Sequence, residues 1–236
     1  MVFVLIGVAV ALLITVAVIA HKKNQARMAA LHSLAMSNGW QYLASDPFNL
    51  PGRWHGHPFG KGYARRATNV ITGQVGPYPM VAFDYQYKED STDSKGNRTT
   101  HTYNYAVYAL AMPCALPELH LAPEGVFSRI GNALGMQDIE LESEDFNRRY
   151  RVRCPDRKLA TDVLTPRTME TLLRINGFNA RFAGSDAVCA TSGRLHAADL
   201  LNYTAAIAAL IDGVPTFVWK DHGLERPPTA SPGSLN

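Results

Sequence analysis

Cysteine is scarce in this chain. Cys114, Cys154 and Cys189 are odd in number, lie far apart and form no CxxC or metal-type spacing, which suits reduced core thiols and leaves one disulfide plus one free thiol, outside the cell, as the alternative. Chemical signatures are equally sparse. No Gly-x-Ser-x-Gly elbow is present, so a serine nucleophile has no local support, and Ser185 falls where a hairpin turn is expected. Gly60-Lys-Gly62 and Gly73-Gln-Val-Gly76 lack the full glycine-rich pattern between a strand and a helix that would aim backbone N–H groups at phosphate. No cofactor is called for, and the reading leans away from an enzyme.

Charge is missing in one place. Residues 1–20 carry none, and His21, Lys22, Lys23 and Arg27 follow at once. At ~1.5 Å rise per residue the apolar run is long enough to cross a ~30 Å hydrocarbon layer. A transmembrane helix is expected over 1–20, continuing as a basic, amphipathic juxtamembrane helix over 21–39 with Asn38-Gly39 as its stop. Lys22, Lys23 and Arg27 are expected at the membrane surface, beside anionic head groups. Positive charge just after the span places the following domain in the cytoplasm. The rival is a cleaved signal peptide and an extracytoplasmic or secreted domain; the absent basic n-region weighs against it.

The sequence has 23 basic and 20 acidic residues, and Lys22, Lys23 and Arg27 account for the whole excess. The remaining domain is formally neutral. It lacks the electrostatic footprint of a phosphate-backbone binder, so nucleic acid is not expected as a partner.

Roughly two hundred residues then remain, enough for one domain with a real core. Residues 61–71, 78–88 and 99–112 are rich in tyrosine, valine and threonine and read as a β-meander over 61–112. Strand alternation groups Val81, Phe83, Tyr85 and Tyr87 on one face and Tyr103, Tyr105 and Val107 on another, set for aromatic cross-strand pairing. Over 118–222 helices and strands alternate, with strands at 118–121, 138–142 and 149–154, helices from about 124, 143, 156 and 166, a hairpin at 178–191 and an amphipathic helix at 195–211. The expected fold is α+β over 40–222: a mainly antiparallel sheet with helices packed on one face. The proline-rich, apolar-poor end, 223–236, is expected to be disordered.

Two constellations carry candidate chemistry. In Arg53-Trp-His-Gly-His-Pro58 the spacing of His55 and His57 would let both face a metal from one side of a strand, although a zinc centre needs a third ligand and the bland reading is a surface turn. A membrane-tethered hydrolase using His55 and His57 is the enzymatic alternative. The second runs from Asp138-Ile-Glu-Leu-Glu142 to Arg148-Arg-Tyr-Arg-Val-Arg153: alternation puts Asp138, Glu140 and Glu142 on one face and Arg149, Arg151 and Arg153 on one face. If the strands are near each other the opposite charges pair; otherwise the arginine stripe is a binding surface for an anionic ligand or an acidic partner.

The order Phe83-Asp-Tyr-x-Tyr87, a tyrosine-rich partner strand, Leu116-Pro117, and Asp138-Ile-Glu-x-Glu-Ser-x-x-Phe-Asn-Arg-Arg-Tyr-Arg-Val152 resembles a family of uncharacterised bacterial membrane proteins common in actinobacteria. The resemblance implies a membrane-associated domain and carries over no catalytic residue. Together these features point to a single-pass anchored module that binds a protein partner or ligand at the inner membrane surface. An exported envelope protein is the topological alternative.

Overall fold

The structure is a computed structural model that describes residues 2–123, 138–175 and 178–223. The helix expected from 124, the stop expected at Gly177 and the tail 224–236 lie outside those residues.

One continuous helix, α1 (Val2–Ser37), runs from the apolar N-terminal segment into the domain. It is long and apolar enough to span a membrane, and its apolar window is 0% buried by the domain. Asn38-Gly39 stops it: Gly39 adopts φ 68°, a left-handed conformation glycine takes without a Cβ penalty. The Trp40 N–H then closes on the Ala35 carbonyl at 2.8 Å, satisfying an orphan C-terminal group of the helix. Past the apolar run the helix becomes part of the core, with Leu31 and Ala35 fully buried.

Among the described residues eight strands form one sheet, in the order β1-β2-β3-β4-β8-β7-β5-β6. They are β1 (Gln41–Ser45), β2 (Tyr63–Val75), β3 (Tyr78–Thr92), β4 (Arg98–Ala111), β5 (His120–Pro123), β6 (Tyr150–Arg153), β7 (Ala180–Ala183) and β8 (Asp186–Ser192). Every pairing is antiparallel. The expected meander forms, and β3 and β4 extend further into the polar connector than the pattern indicated. Asp93 ends the connector by accepting from the N–H groups of Lys95 and Asn97. The aromatic pairing is present too: Phe83 faces Val107, Tyr85 faces Tyr105 and Tyr87 faces Tyr103.

Alternation divides the sheet into two buried faces. Met80, Ala82, Tyr108, Leu110, Leu121, Val152, Phe182 and Cys189 point to the helices. These are α1, α2 (Glu144–Arg149), α3 (Arg157–Val163), α4 (Pro166–Leu173), α5 (Ala197–Asp212) and α6 (Thr216–Asp221). Ser143, Asp156 and Thr165 cap α2, α3 and α4 through their side-chain oxygens. On the opposite face Phe83, Tyr85, Tyr87, Tyr105 and Val107 are covered by residues 50–59, with Trp54 stacked on Phe83 at 6.0 Å and Phe59 tilted on Tyr85 at 5.0 Å. The α+β class with helices on one face is thus observed. The cysteines are free, and burial pushes the Cys189 thiol up to about 12.

Two local expectations need correction. The strand expected over 138–142 is only an isolated bridge between Asp138 and Arg153. Arg149, expected on a strand, is the last residue of α2, and its guanidinium donates to the carbonyls of Leu173 at 2.6 Å and Ile175 at 3.1 Å at the end of α4. A basic residue is favoured there by the unsatisfied carbonyls of a helix C-terminus.

Candidate functional site

Just past the apolar run, α1 crosses the sheet face and encloses a polar cavity of about 260 Å³ with β2, β3, β4 and the β8–α5 connection. Its centre is Asp84 on β3, whose side chain is 12% exposed. Asp84 accepts from Arg27 Nη1 at 2.9 Å, from Asn69 Nδ2 at 2.7 Å and from the Leu195 N–H at 2.6 Å. Arg27, 8% exposed at its side chain, also donates to the Leu195 carbonyl at 2.8 Å and to Asn24 Oδ1 at 3.0 Å. One carboxylate therefore ties α1 to β2, β3 and the entry to α5.

Asn69 reaches this hub because β2 bulges. The register with β3 shifts between Thr68 and Ile71, and Asn69 sits at φ 50°, a left-handed conformation that asparagine tolerates better than most residues. Its amide oxygen accepts from Tyr42 at 2.6 Å, and burial pushes the Tyr42 phenol pKa upward. Toward solvent the walls are Arg66, Arg194, Gln86 and Asn104. Gln86 donates to Asn104 at 2.8 Å, and Arg194 donates to Asn24 at 3.0 Å. Amides and guanidinium groups around one carboxylate make a hydrogen-bonding site for a polar ligand, with more positive than negative charge.

Of the residues expected at the membrane surface, Lys22 and Lys23 are exposed, whereas Arg27 is folded into this pocket. A lone arginine after an apolar run gives no sign of a carboxylate 57 positions away; the signal, if any, is the charged Asp84 inside an otherwise aromatic strand.

Of the other sequence candidates, Arg149 stays on the helix side at the end of α4, while the His55–His57 segment covers the opposite face. Residues 53–60 form turns and not a strand, with His55 exposed and His57 half-buried. Among the described residues no three His, Cys, Asp or Glu side chains come together as a metal site. His57 instead packs edge-on against Tyr105 and lines a cavity of about 30 Å³ with Phe59, His120, Asn179 and Arg181. His120 on β5 is the cross-strand partner of both Arg181 on β7 and Arg153 on β6. Arg151 lies two positions from Arg153 on the same face. Arg153 donates to Asp138 at 2.7 Å, the charge pairing anticipated between the acidic and basic segments. His120 and Arg181, single polar residues within apolar strands, have no motif spacing to announce them.

His120 is 8% exposed at its side chain and touches Glu118 at 2.8 Å. Burial lowers its pKa more than Glu118 raises it, and Arg181 and Arg153 lower it further. A histidine depressed below its unfolded value near 6.5 takes up a proton on unfolding. Its contribution to stability is present above that value and is lost as pH falls through the folded pKa. The urea midpoint is expected to fall between pH 7.5 and 5 more steeply for the wild type than for His120→Asn; equal slopes would show that His120 is not depressed.

No family model matches the chain, and no curated protein matches it. Among solved structures it is similar to the crystal structure of the mycobacterial trehalose monomycolate transport factor A, TtfA, with a TM-score of 0.54 at 15% identity, over 80% of this chain and 96% of that one. At that identity the likeness establishes a shared fold.

Proposed function

We propose that this protein is a membrane-anchored, non-enzymatic binding module whose juxtamembrane pocket holds the hydroxyl-rich headgroup of a membrane lipid. The carrying observation is the pocket's depth. Asn24 and Arg27 on its wall belong to the same uninterrupted helix as the apolar run. At ~1.5 Å per residue they stand about 6 and 10 Å beyond Ala20. The polar layer on each side of a ~30 Å hydrocarbon core is several ångströms thick, so the cavity opens at the level of the headgroups.

The lining supports the class of ligand. Thr68, with Gln86 and Asn104, which bond each other through one amide atom apiece, offers donors and acceptors that suit hydroxyl groups, while Arg66 and Arg194 would bind an anionic substituent. The structural neighbour is named as a trehalose monomycolate transport factor, which agrees with this reading. Lys22 and Lys23 directly after the span favour a cytoplasmic domain. A fluorescent reporter fused after Asn236 should therefore light up in cells; activity of a periplasm-dependent phosphatase fused there instead would overturn that orientation.

Binding is tested on the full chain in nanodiscs of zwitterionic lipid, with a short-chain alkyl disaccharide as probe and native mass spectrometry as readout. Saturable retention is expected, weakened about tenfold in Gln86→Ala/Arg194→Ala, the equivalent of ~1.4 kcal/mol. Undiminished retention in the double variant, or none in the wild type, would remove the proposal's basis.

A further inference from the structure

We infer that the opposite face of the sheet carries a second, separate ligand site, in which Arg181 binds a carboxylate. Arg181 lies in the middle of β7, is only 8% exposed and points away from the helices, toward residues 55–59. Its Nη1 donates to the His55 carbonyl, and its guanidinium lies over the Phe59 ring at 5.5 Å. The chain passes so near that a Cβ added at Gly56 would stand 2.8 Å from Nη1. The turn is closely fitted to the arginine.

Nη2 is buried without a hydrogen-bond partner. Among the described residues no carboxylate is within ion-pairing distance of Arg181, and Glu118 is engaged by His120 at 2.8 Å. An arginine does not lose its proton to escape burial, so this cation bears a desolvation cost that the charge of Glu118, acting without direct contact, offsets only in part. The cross-strand neighbour on one side is His120, whose other neighbour is Arg153. Asp138 is the carboxylate bonded to Arg153.

The cavity beside Arg181 holds about 30 Å³, with half-buried His57 and Asn179 at its rim and Pro58, Phe59 and Val188 in its walls. A cavity of that size has room for a water or for the oxygen end of a carboxylate. Asn179 is already bonded through both amide atoms to Ala190. The donors available at the cavity are therefore few, Arg181 Nη2 foremost. A phosphate, with three anionic oxygens, would stay undersatisfied, whereas a carboxylate would receive a charge-assisted bond inside apolar walls. The partner class is a small organic acid or an acidic group exposed on a larger one.

The test is thermal unfolding of the full chain in detergent, titrated with acetate, chloride and inorganic phosphate at constant ionic strength. Acetate at about 50 mM should raise the midpoint by roughly 2–4 °C over chloride, and phosphate should do less. Equal midpoints in all three salts, or a larger rise with phosphate, would overturn the carboxylate assignment. Arg181→Met should unfold at a midpoint unaffected by acetate, and an undiminished acetate effect in it would exclude Arg181 as the anchor. Should that variant fail to fold, the wild-type anion series still decides the question.

Discussion

Alanine at Asp84 is expected to lower the unfolding free energy by about 3–5 kcal/mol, the usual consequence of removing one partner of a buried ion pair. Three groups lose their acceptor together: the Arg27 guanidinium, the Asn69 amide and the Leu195 N–H. The two charged side chains are 8% and 12% exposed, so water cannot readily replace the carboxylate. Arg27 bears the largest loss, because its Nε is already buried without a partner and its charge would then be opposed by nothing in the pocket. In thermal unfolding of the full chain this is roughly a 10 °C fall in midpoint. Asp84→Asn should fall between, since it keeps an oxygen for the Leu195 N–H while leaving the arginine charge unopposed. The double variant Arg27→Met/Asp84→Leu should recover much of the stability, because replacing both members of a buried pair by apolar groups is often neutral or better. A loss below about 1 kcal/mol for Asp84→Ala would mean that the hub is hydrated and does not fasten the helix.

The sheet was legible wherever a strand alternates over many residues. Phe83, Tyr85 and Tyr87 announce one buried face by period two, and their partners on β4 fall opposite them. Short elements were less legible. Arg149-Tyr-Arg-Val-Arg153 satisfies strand alternation throughout, yet α2 extends through Arg149 because Ser143 caps it six residues earlier and the Arg149 guanidinium bonds the end of α4. Both pockets were hidden for a common reason: their polar groups come one from each element. Arg27, Asp84 and Asn69, or His57, His120 and Arg181, have no spacing to read, and only the β2 bulge and the strand order bring them together. What could be read was a polar residue out of place, such as His120 between Leu119 and Leu121, or Arg181 between Ala180 and Phe182. Such residues lie on the sheet face away from the helices and need a partner there.

The junction between α1 and the sheet rests on a second contact whose disruption should be as severe. Trp40 directly follows the stop of α1, is 9% exposed, and lies flat against Gly73 on β2 while its indole N–H donates to the Gln74 carbonyl at 3.0 Å. A Cβ at Gly73 would stand 2.1 Å from Trp40 Cδ1 and 2.6 Å from Cγ, closer than atoms can approach. The ring belongs to the helix-side core beside Ile71 and Leu31, so it cannot tilt away without opening that core. Gly73→Ala is therefore expected to displace the indole and cost about 3 kcal/mol, approaching the ~3–5 kcal/mol of Trp40→Ala. The two effects should not add. Once the indole is gone the methyl group meets no ring, so the double variant should be no less stable than Trp40→Ala alone, a coupling of about 2–3 kcal/mol in a double-mutant cycle. Additive losses in urea unfolding would show that Gly73 is required for the strand backbone and not for the tryptophan that seats α1.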